Sequence, residues 1–397
     1  MSLKYSSTPR IDLVVVQPTP FCNINCKYCY LPTRGDKSTI SPDTVRTLFE
    51  KVFSSGWVGE ELTIIWHAGE PLVMPVSFYR QAFEMIESLR PENLRLRHSI
   101  QTNGLLINTE WCDLFREWQV GVGVSIDGPR RFNDMNRLSR KGTSTYDKAI
   151  AGLRLLRAQS VPFHVISVLT GESLAEPREM LDFYLSEGIT DVCFNVEESE
   201  GSHVSSLLAQ TNARAAFRGF LQKFWQLARA DGGIGFIREI DGILPRVFRR
   251  TDAPMRNAQV EPFGMLNVDC RGNVSSFSPE LLGLKNARYN DFIVGNINCD
   301  SLEQMRRSAA MQAMEQDIAQ GVDACRASCQ YFSVCGGGAP VNKLSEGGSF
   351  AGTRTGFCDL TQQVPVDVIL ESLRSLRSTG APAIKNSVQH YHSGVMT

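Results

Sequence analysis

The stretch Cys22-Asn-Ile-Asn-Cys26-Lys-Tyr-Cys29-Tyr30 follows the apolar run Ile11–Gln17 (IDLVVVQ) and precedes a loop carrying Pro32, Arg34 and Gly35. Its spacing, C-x3-C-x2-C, lets one loop point three thiolates at a single inorganic core. Iron–sulfur clusters are held by Cys thiolates, usually four of them. Three close ligands with no fourth nearby leave one iron open to a small molecule. A zinc loop or plain buried cysteines are the competing readings. Zinc usually takes paired C-x2-C or Cys/His sets, and this stretch holds no His.

Outward from this loop the chain repeats one pattern. IDLVVVQ reads as a strand buried on both faces. Ser41-Pro42 reads as a helix start, with Thr44–Ser55 helical. Strand-like Leu62–Trp66 precedes helix-like Val76–Leu89, and Arg97–Gln101 precedes Thr109–Gln119. Gly121–Ile126 precedes Tyr146–Gln159, Phe163–Leu169 precedes Pro177–Glu187, and Asp191–Asn195 closes the series. Strands alternating with helices predict a parallel sheet with right-handed crossovers. The span of about 190 residues is short of the roughly 250 of a full eight-stranded barrel, so a partial (β/α)6 barrel is expected. In such barrels chemistry sits at the C-terminal strand ends. Those ends carry the Cys loop, His67-Ala68-Gly69-Glu70-Pro71, Gln101-Thr102-Asn103-Gly104, Ser125-Ile126-Asp127-Gly128-Pro129, Ser167 to Thr170, and Asn195-Val196-Glu197-Glu198.

With these residues in view, CNINCKYCY after a first strand resembles the cluster motif of radical S-adenosylmethionine (SAM) enzymes, whose fold is a partial barrel. The resemblance implies roles. AGEP at 68–71 resembles the family's GGE motif, with the backbone of Ala68 and Gly69 and Glu70 holding the methionine amino group of SAM. Ser125 and Asp127 resemble the ribose and carboxylate contacts. Arg137 resembles the Arg that pairs with the SAM carboxylate, with Arg140 as a competitor. Tyr28 lies where the family binds adenine, and Asn103 and Ser167 are further cofactor-pocket candidates.

Cys325-x3-Cys329-x5-Cys335-Gly-Gly-Gly-Ala339, then Cys358, is a second constellation. It resembles the SPASM extension, which carries auxiliary iron–sulfur clusters in peptide-modifying radical SAM enzymes. The stretch 263–279 resembles that extension's opening hairpin. The family's pattern has seven cysteines and two clusters, and Phe277 and Ala339 stand where ligands of the first cluster are expected. Cys325, Cys329, Cys335 and Cys358 match the four that hold the second, so the resemblance implies a single auxiliary [4Fe–4S] cluster, a closed shell suited to electron transfer. Cys270 or Cys299 could complete a degenerate further cluster, and a zinc ribbon at 325–358 is the alternative to a cluster. Cys112, Cys193, Cys270 and Cys299 otherwise read as ordinary small residues.

The expected layout is a barrel at 1–205, a helical bridge at 206–260, a SPASM-type unit at 261–365, and a C-terminal helix and mobile tail at 366–397 carrying His390 and His392. Asn212–Ala230, with Phe217, Leu221, Phe224 and Leu227 at helical spacing, reads as core packing. A net charge of −1 gives no footprint for nucleic acid or a membrane surface. No run of 18 apolar residues and no signal peptide appear, and eleven Cys argue for metal or redox chemistry in a cytoplasmic setting.

The motifs LVVVQPTPFCNINCKYCYLP, WHAGEPL, QTNG, GVSIDGP, FNVEESEG and PFGMLNVDCRGNVSSFSPELLG together resemble the cyclophane-forming GrrM-type peptide maturases. That implies a ribosomally made precursor peptide as substrate, a Cβ-to-aromatic-carbon crosslink, an external electron donor such as flavodoxin or ferredoxin, and a leader bound on the enzyme's own surface or a partner. Glu197, Glu198, Asp269 and Glu280 are the candidate proton acceptors, unranked. The other readings are a thioether-forming or epimerising maturase, an anaerobic sulfatase maturase, and a non-catalytic iron–sulfur or zinc scaffold. The gaps at Phe277 and Ala339 count against the sulfatase maturase. A SAM pocket counts against the scaffold.

Overall fold

The protein is described by a computed structural model that covers residues 9–201, 203–249 and 255–379. The β-branched run Ile11–Val16 forms β1. Strands β2 (Val58–Trp66), β3 (Arg95–Thr102), β4 (Gly121–Ser125), β5 (Phe163–Leu169) and β6 (Asp191–Val196) follow in the same spatial order, each parallel to its neighbour. Parallel neighbours need a crossover, and helices supply it. The first, Pro42–Ser54, starts where the Ser41 hydroxyl accepts from Thr44 N at 3.0 Å, with Pro42 in the first turn.

Four short strands extend the sheet beyond the expected six. β7 (Phe236–Ile237) pairs with β6 inside the stretch expected to be only helical. β8 (Met265–Val268) and β9 (Asn273–Ser276) form the expected hairpin, and β10 (Gly295–Asn296) follows. The hairpin does not form a sheet of its own. β8 pairs in parallel with β1, giving the order β10-β9-β8-β1-β2-β3-β4-β5-β6-β7. An uncovered β1 edge would leave backbone N–H and C=O groups unpaired, and β8 satisfies them. Lys51 adds a clamp on the same side, donating to Ile297 O at 2.6 Å and Asp300 O at 2.8 Å.

Alternation decides which residues face the helices and which face the lumen. Trp66 meets Tyr79 edge-on at 5.2 Å and Phe78 at 6.0 Å. Val14, Val16, Ile64, Val122 and Phe194 share that apolar shell. The Ala213–Asp231 helix packs there as expected, with Phe220 and Phe224 edge-on to Phe194 at 5.2 and 5.0 Å. Polar residues take the other face, where Gln101 Nε2 donates to Ser125 Oγ at 2.8 Å. The C-terminal helix is Val364–Thr379. The expected tail with His390 and His392 lies outside the described residues. Truncating Trp66 to Ala removes the centre of the aromatic shell and is expected to cost about 3–5 kcal/mol, read as a lowered denaturant midpoint.

Candidate functional site

The Cys loop leaves the C-terminal end of β1 and is pinned along its length. Asn25 N donates to Leu138 O at 2.8 Å and Lys27 N to Asn136 O at 3.1 Å, so the loop lies along the segment after β4. Two guanidinium groups hold its carbonyls. Arg34 donates to Cys26 O at 3.2 Å and Cys29 O at 3.3 Å, and Arg140 donates to Cys22 O and Arg34 O at 3.0 Å each. With the carbonyls fixed, the three side chains share one electrostatic neighbourhood. Burial pushes the Cys22 thiol up to about 12 and the Cys26 thiol to about 11. Burial by itself keeps such thiols neutral, and a metal's charge is what turns them into thiolates. Asn103 Nδ2 reaches Cys22 Sγ at 3.8 Å while donating to Asn23 Oδ1 at 2.7 Å. Among the described residues no three His, Cys, Asp or Glu are set for one metal ion. A four-iron core is wider than one ion, and three thiols on a pinned loop suit it.

The loops after β2 and β4 complete the mouth. Gly69 has φ +87°, and a Cβ there would stand 2.3 Å from Thr19 O, so this turn can press against the chain entering the Cys loop only as glycine. Ala68 also lies in the left-handed region, at φ +68°. That accounts for the Gly of the GGE pattern and makes Ala68 strained. Glu70 is buried, and its carboxylate is already occupied. It accepts from Thr102 Oγ1 at 2.6 Å, Asn103 N at 2.8 Å and Leu72 N at 3.0 Å. It ties the ends of β2 and β3 together, within the field of Cys22 and Arg137.

Tyr28, Asp127 and Arg137 form one buried knot. The Tyr28 hydroxyl donates to Asp127 Oδ2 at 2.7 Å, and Arg137 donates to the Tyr28 oxygen at 2.7 Å. Asp127 Oδ1 accepts from Val168 N at 3.1 Å. Arg137 is 7% exposed, whereas Arg140 spends itself on the loop carbonyls at the surface, so the structure separates the two arginines. Ser167 is a correction. Its hydroxyl donates to Ile126 O and pairs with the Tyr184 hydroxyl at 2.7 Å, facing the helices and not the mouth.

The four acidic candidates part company. Asp269 caps the β8–β9 turn, accepting from Arg271 N at 2.8 Å and Asn273 N at 2.9 Å. Glu197 is held by His203 Nε2 at 2.9 Å, Ser206 Oγ at 2.8 Å and Leu207 N at 3.1 Å. Both carboxylates are taken up by local hydrogen bonds and stand apart from the other two candidates. Glu198 and Glu280 are brought together with a residue that sequence reading missed, Glu200. Glu198 and Glu200 act on each other electrostatically, with Glu280 in their field. Asn342 Nδ2 donates to Glu198 Oε2 at 2.7 Å, and the Ser278 hydroxyl donates to Glu280. Burial, then the Glu280 charge, lift Glu198 to about 7 against the pull of Asn342 and Arg238. Burial and the Glu198 charge hold Glu200 well above the carboxylate range, and burial raises Glu280. All three lie in the field of Tyr30, the residue after Cys29, whose hydroxyl meets His67 Nε2 at 3.4 Å.

The second cysteine set gathers Cys325, Cys329, Cys335 and Cys358 from the Ala309–Ser328 helix and the turns after it. Gly336, Gly337 and Gly338 all have positive φ, and the Gly337 and Gly338 amides donate to Cys335. Gln363 Nε2 points at Cys358 Sγ at 3.7 Å. Cys270, buried beside Asp269, Arg271 and Asp36, has no cysteine among the charges acting on it, and Cys299 is exposed. Phe277 is fully buried in the apolar core.

A parallel sheet whose first strand end carries Cys22, Cys26 and Cys29 on one pinned loop suits an iron–sulfur enzyme. The Radical SAM superfamily profile matches residues 16–184. An uncharacterized protein of Synechocystis is 38% identical over 91% of this chain and 92% of its own. A serine-type anaerobic sulfatase-maturating enzyme of Bacteroides thetaiotaomicron is 25% identical over 84% of this chain and 83% of its own. A structure of anSMEcpe with bound AdoMet and the Cp18Cys peptide superposes with a TM-score of 0.75 at 19% identity, covering 94% of this chain and 99% of that one. Residues 16–184 are a radical SAM domain, whose cofactors are SAM and a [4Fe–4S] cluster. No helix among the described residues is long and apolar enough to cross a membrane.

Two outcomes test this site. Arg34→Ala and Arg140→Ala free the loop carbonyls. Each is expected to lower iron bound on anaerobic reconstitution while the thermal melt stays near wild type. Glu198 binds a proton in the folded chain at pH values where the unfolded chain has lost it. Its stability contribution is therefore lost as pH rises from the ordinary Glu range through about 7. Glu198→Gln is expected to flatten the pH dependence of the melt across that window.

Proposed function

We propose that this chain is a radical SAM maturase of a ribosomally made peptide or protein, acting on a side-chain Cβ–H bond. The observation that carries the reading is the cluster of Glu198, Glu200 and Glu280 around Tyr30, which follows Cys29 in the Cys22/Cys26/Cys29 loop. Cys22, Cys26 and Cys29 would hold the open-iron cluster. The Ala68–Gly69 backbone, Ser125, Tyr28, Asn103 and the Arg137 guanidinium would line the SAM site, with Asp127 orienting Arg137. When bound, cluster and SAM supply a 5′-deoxyadenosyl radical that takes a hydrogen atom from the substrate.

The remaining steps fall to the chain. Converting a substrate radical to a closed-shell product releases one electron and one proton. Cys325, Cys329, Cys335 and Cys358 would hold the one auxiliary cluster that takes the electron. The Oε atoms of Glu198 and Glu280, the two acidic candidates held near Tyr30, would accept the substrate's proton. An external flavodoxin or ferredoxin would supply the starting electron.

The finer proposal is a Cβ-to-aromatic-carbon crosslink in a precursor peptide, supported by the degenerate auxiliary set at Phe277 and Ala339. A second reading, oxidation of a Ser or Cys side chain to an aldehyde, draws support from the sulfatase-maturating relative. Crosslinking and oxidation of Ser both remove two hydrogens, so mass alone does not part them. An aldehyde-reactive hydrazide and fragment-ion connectivity do.

The test incubates reconstituted enzyme, SAM and dithionite with two synthetic peptides, one with an aromatic ring flanked by small residues and one with a Ser at the same position. A fragment-resistant crosslink supports the first reading and a hydrazide adduct the second. SAM cleavage without either product overturns both. Glu198→Gln and Glu280→Gln are expected to keep 5′-deoxyadenosine formation while product falls about 10²–10⁴-fold. The wild-type product rate should rise with pH through about 7, as Glu198 becomes free to accept a proton.

A further inference from the structure

The second cysteine set contains a cation that the mechanism above leaves unused. Lys343, on the Pro340–Gly347 helix, is 3% exposed, and its ammonium donates to Cys325 Sγ at 3.4 Å. Among the described residues it forms no ion pair with a carboxylate. A lysine buried without a counter-ion is costly, and the charge beside it must come from the sulfur. The fold is shaped to admit it. A Cβ on Gly321 would stand 3.2 Å from Lys343 Nζ and 2.4 Å from Phe350 O, so the helix carrying Cys325 can approach only with glycine there. The other three sulfurs receive weaker help. Cys335 takes backbone amides and Cys358 an amide side chain. Arg354 acts on Cys329 and Cys358 from an exposed position, and Arg246 acts on Cys335. Cys325 has a buried ammonium in hydrogen-bond contact with its sulfur.

We propose that Lys343 sets the reduction potential of the auxiliary cluster. This rests on reading Cys325, Cys329, Cys335 and Cys358 as that cluster's ligands. A cluster on four thiolates becomes more negative by one charge on accepting one electron. A fixed ammonium at a ligand sulfur favours that reduced state through the low-dielectric interior, where charges are little screened. The electron comes from the substrate radical, and its proton goes to the mouth carboxylates. Lys343 is thus a positioning residue that makes the auxiliary site an acceptor, without touching substrate.

The experiment uses the full chain with Cys22, Cys26 and Cys29 changed to Ala, so that any bound cluster is the auxiliary one. After anaerobic reconstitution, iron content is measured and the reduced-cluster EPR signal is followed in a redox titration. Lys343→Met is expected to shift the reduction equilibrium at least tenfold toward the oxidised form, which is 59 mV for one electron. Lys343→Arg should stay close to the parent, and Arg354→Ala, on the exposed cation, should shift it less than Lys343→Met. Full iron in Lys343→Met with the parent potential overturns the proposal. Loss of iron in both Lys343 variants also overturns it and makes Lys343 an assembly residue. Absence of iron from the parent itself overturns the four-cysteine reading beneath it.

Discussion

Three thiolates hold one cluster only if the loop between them keeps its shape, and a loop of polar residues has little core of its own to hold it. Here the constraint is met by charge on backbone. Arg34 and Arg140 donate to the carbonyls of Cys22, Cys26 and Cys29. Charge-assisted bonds of this kind are roughly twice as strong as neutral ones. Arg140 comes from the loop after β4, so the geometry of the first strand end depends on the fourth. The Tyr28–Asp127–Arg137 knot makes the same connection from inside. Cofactor loop and cofactor pocket are therefore one cross-linked object. The sheet beneath supplies its rigidity through parallel pairing and an aromatic shell around Trp66.

Charge is distributed in opposite senses at the two ends of the chemistry. Beyond the end of β6, burial and neighbouring charge raise Glu198 and Glu200, and burial raises Glu280, above the ordinary carboxylate range. At the auxiliary side, Lys343 and the glycine amides face sulfur. A carboxylate group that welcomes a proton and a sulfur group that welcomes an electron are what a radical losing both requires. Neither arrangement is favourable for folding by itself. Each needs the scaffold to force like charges, or an unpaired lysine, out of water.

Much of the barrel was legible because β-branched runs and amphipathic helices leave different periods. Sequence also carried the evidence against Ser167, since it shares strand parity with Val165 and Leu169, which face the helices. Asp269 stood in a D-x-x-G-N turn, where an Asp side chain closes on its own backbone. Glu200 was harder to see. It lies past the end of β6, and its importance comes from Glu280, a residue on the far side of the β8–β9 hairpin. No local pattern announces a meeting between strand ends so distant in the chain. The choice between Arg137 and Arg140 was likewise set by burial alone.

The join between hairpin and barrel bears on how many clusters the C-terminal part can hold. β8 is a strand of the barrel's own sheet, and the chain leaving β9 runs directly into Phe277. That residue is fully buried at φ +73°, an unfavourable conformation for an aromatic side chain, and it persists because the ring packs into the apolar core. Ala339, the other replaced position, is 7% exposed. A cluster site that has lost ligands leaves either a polar hollow or a packed interior. Here the ring at Phe277 fills the space with core, which fixes the hairpin against β1 and aims Glu280 at the mouth.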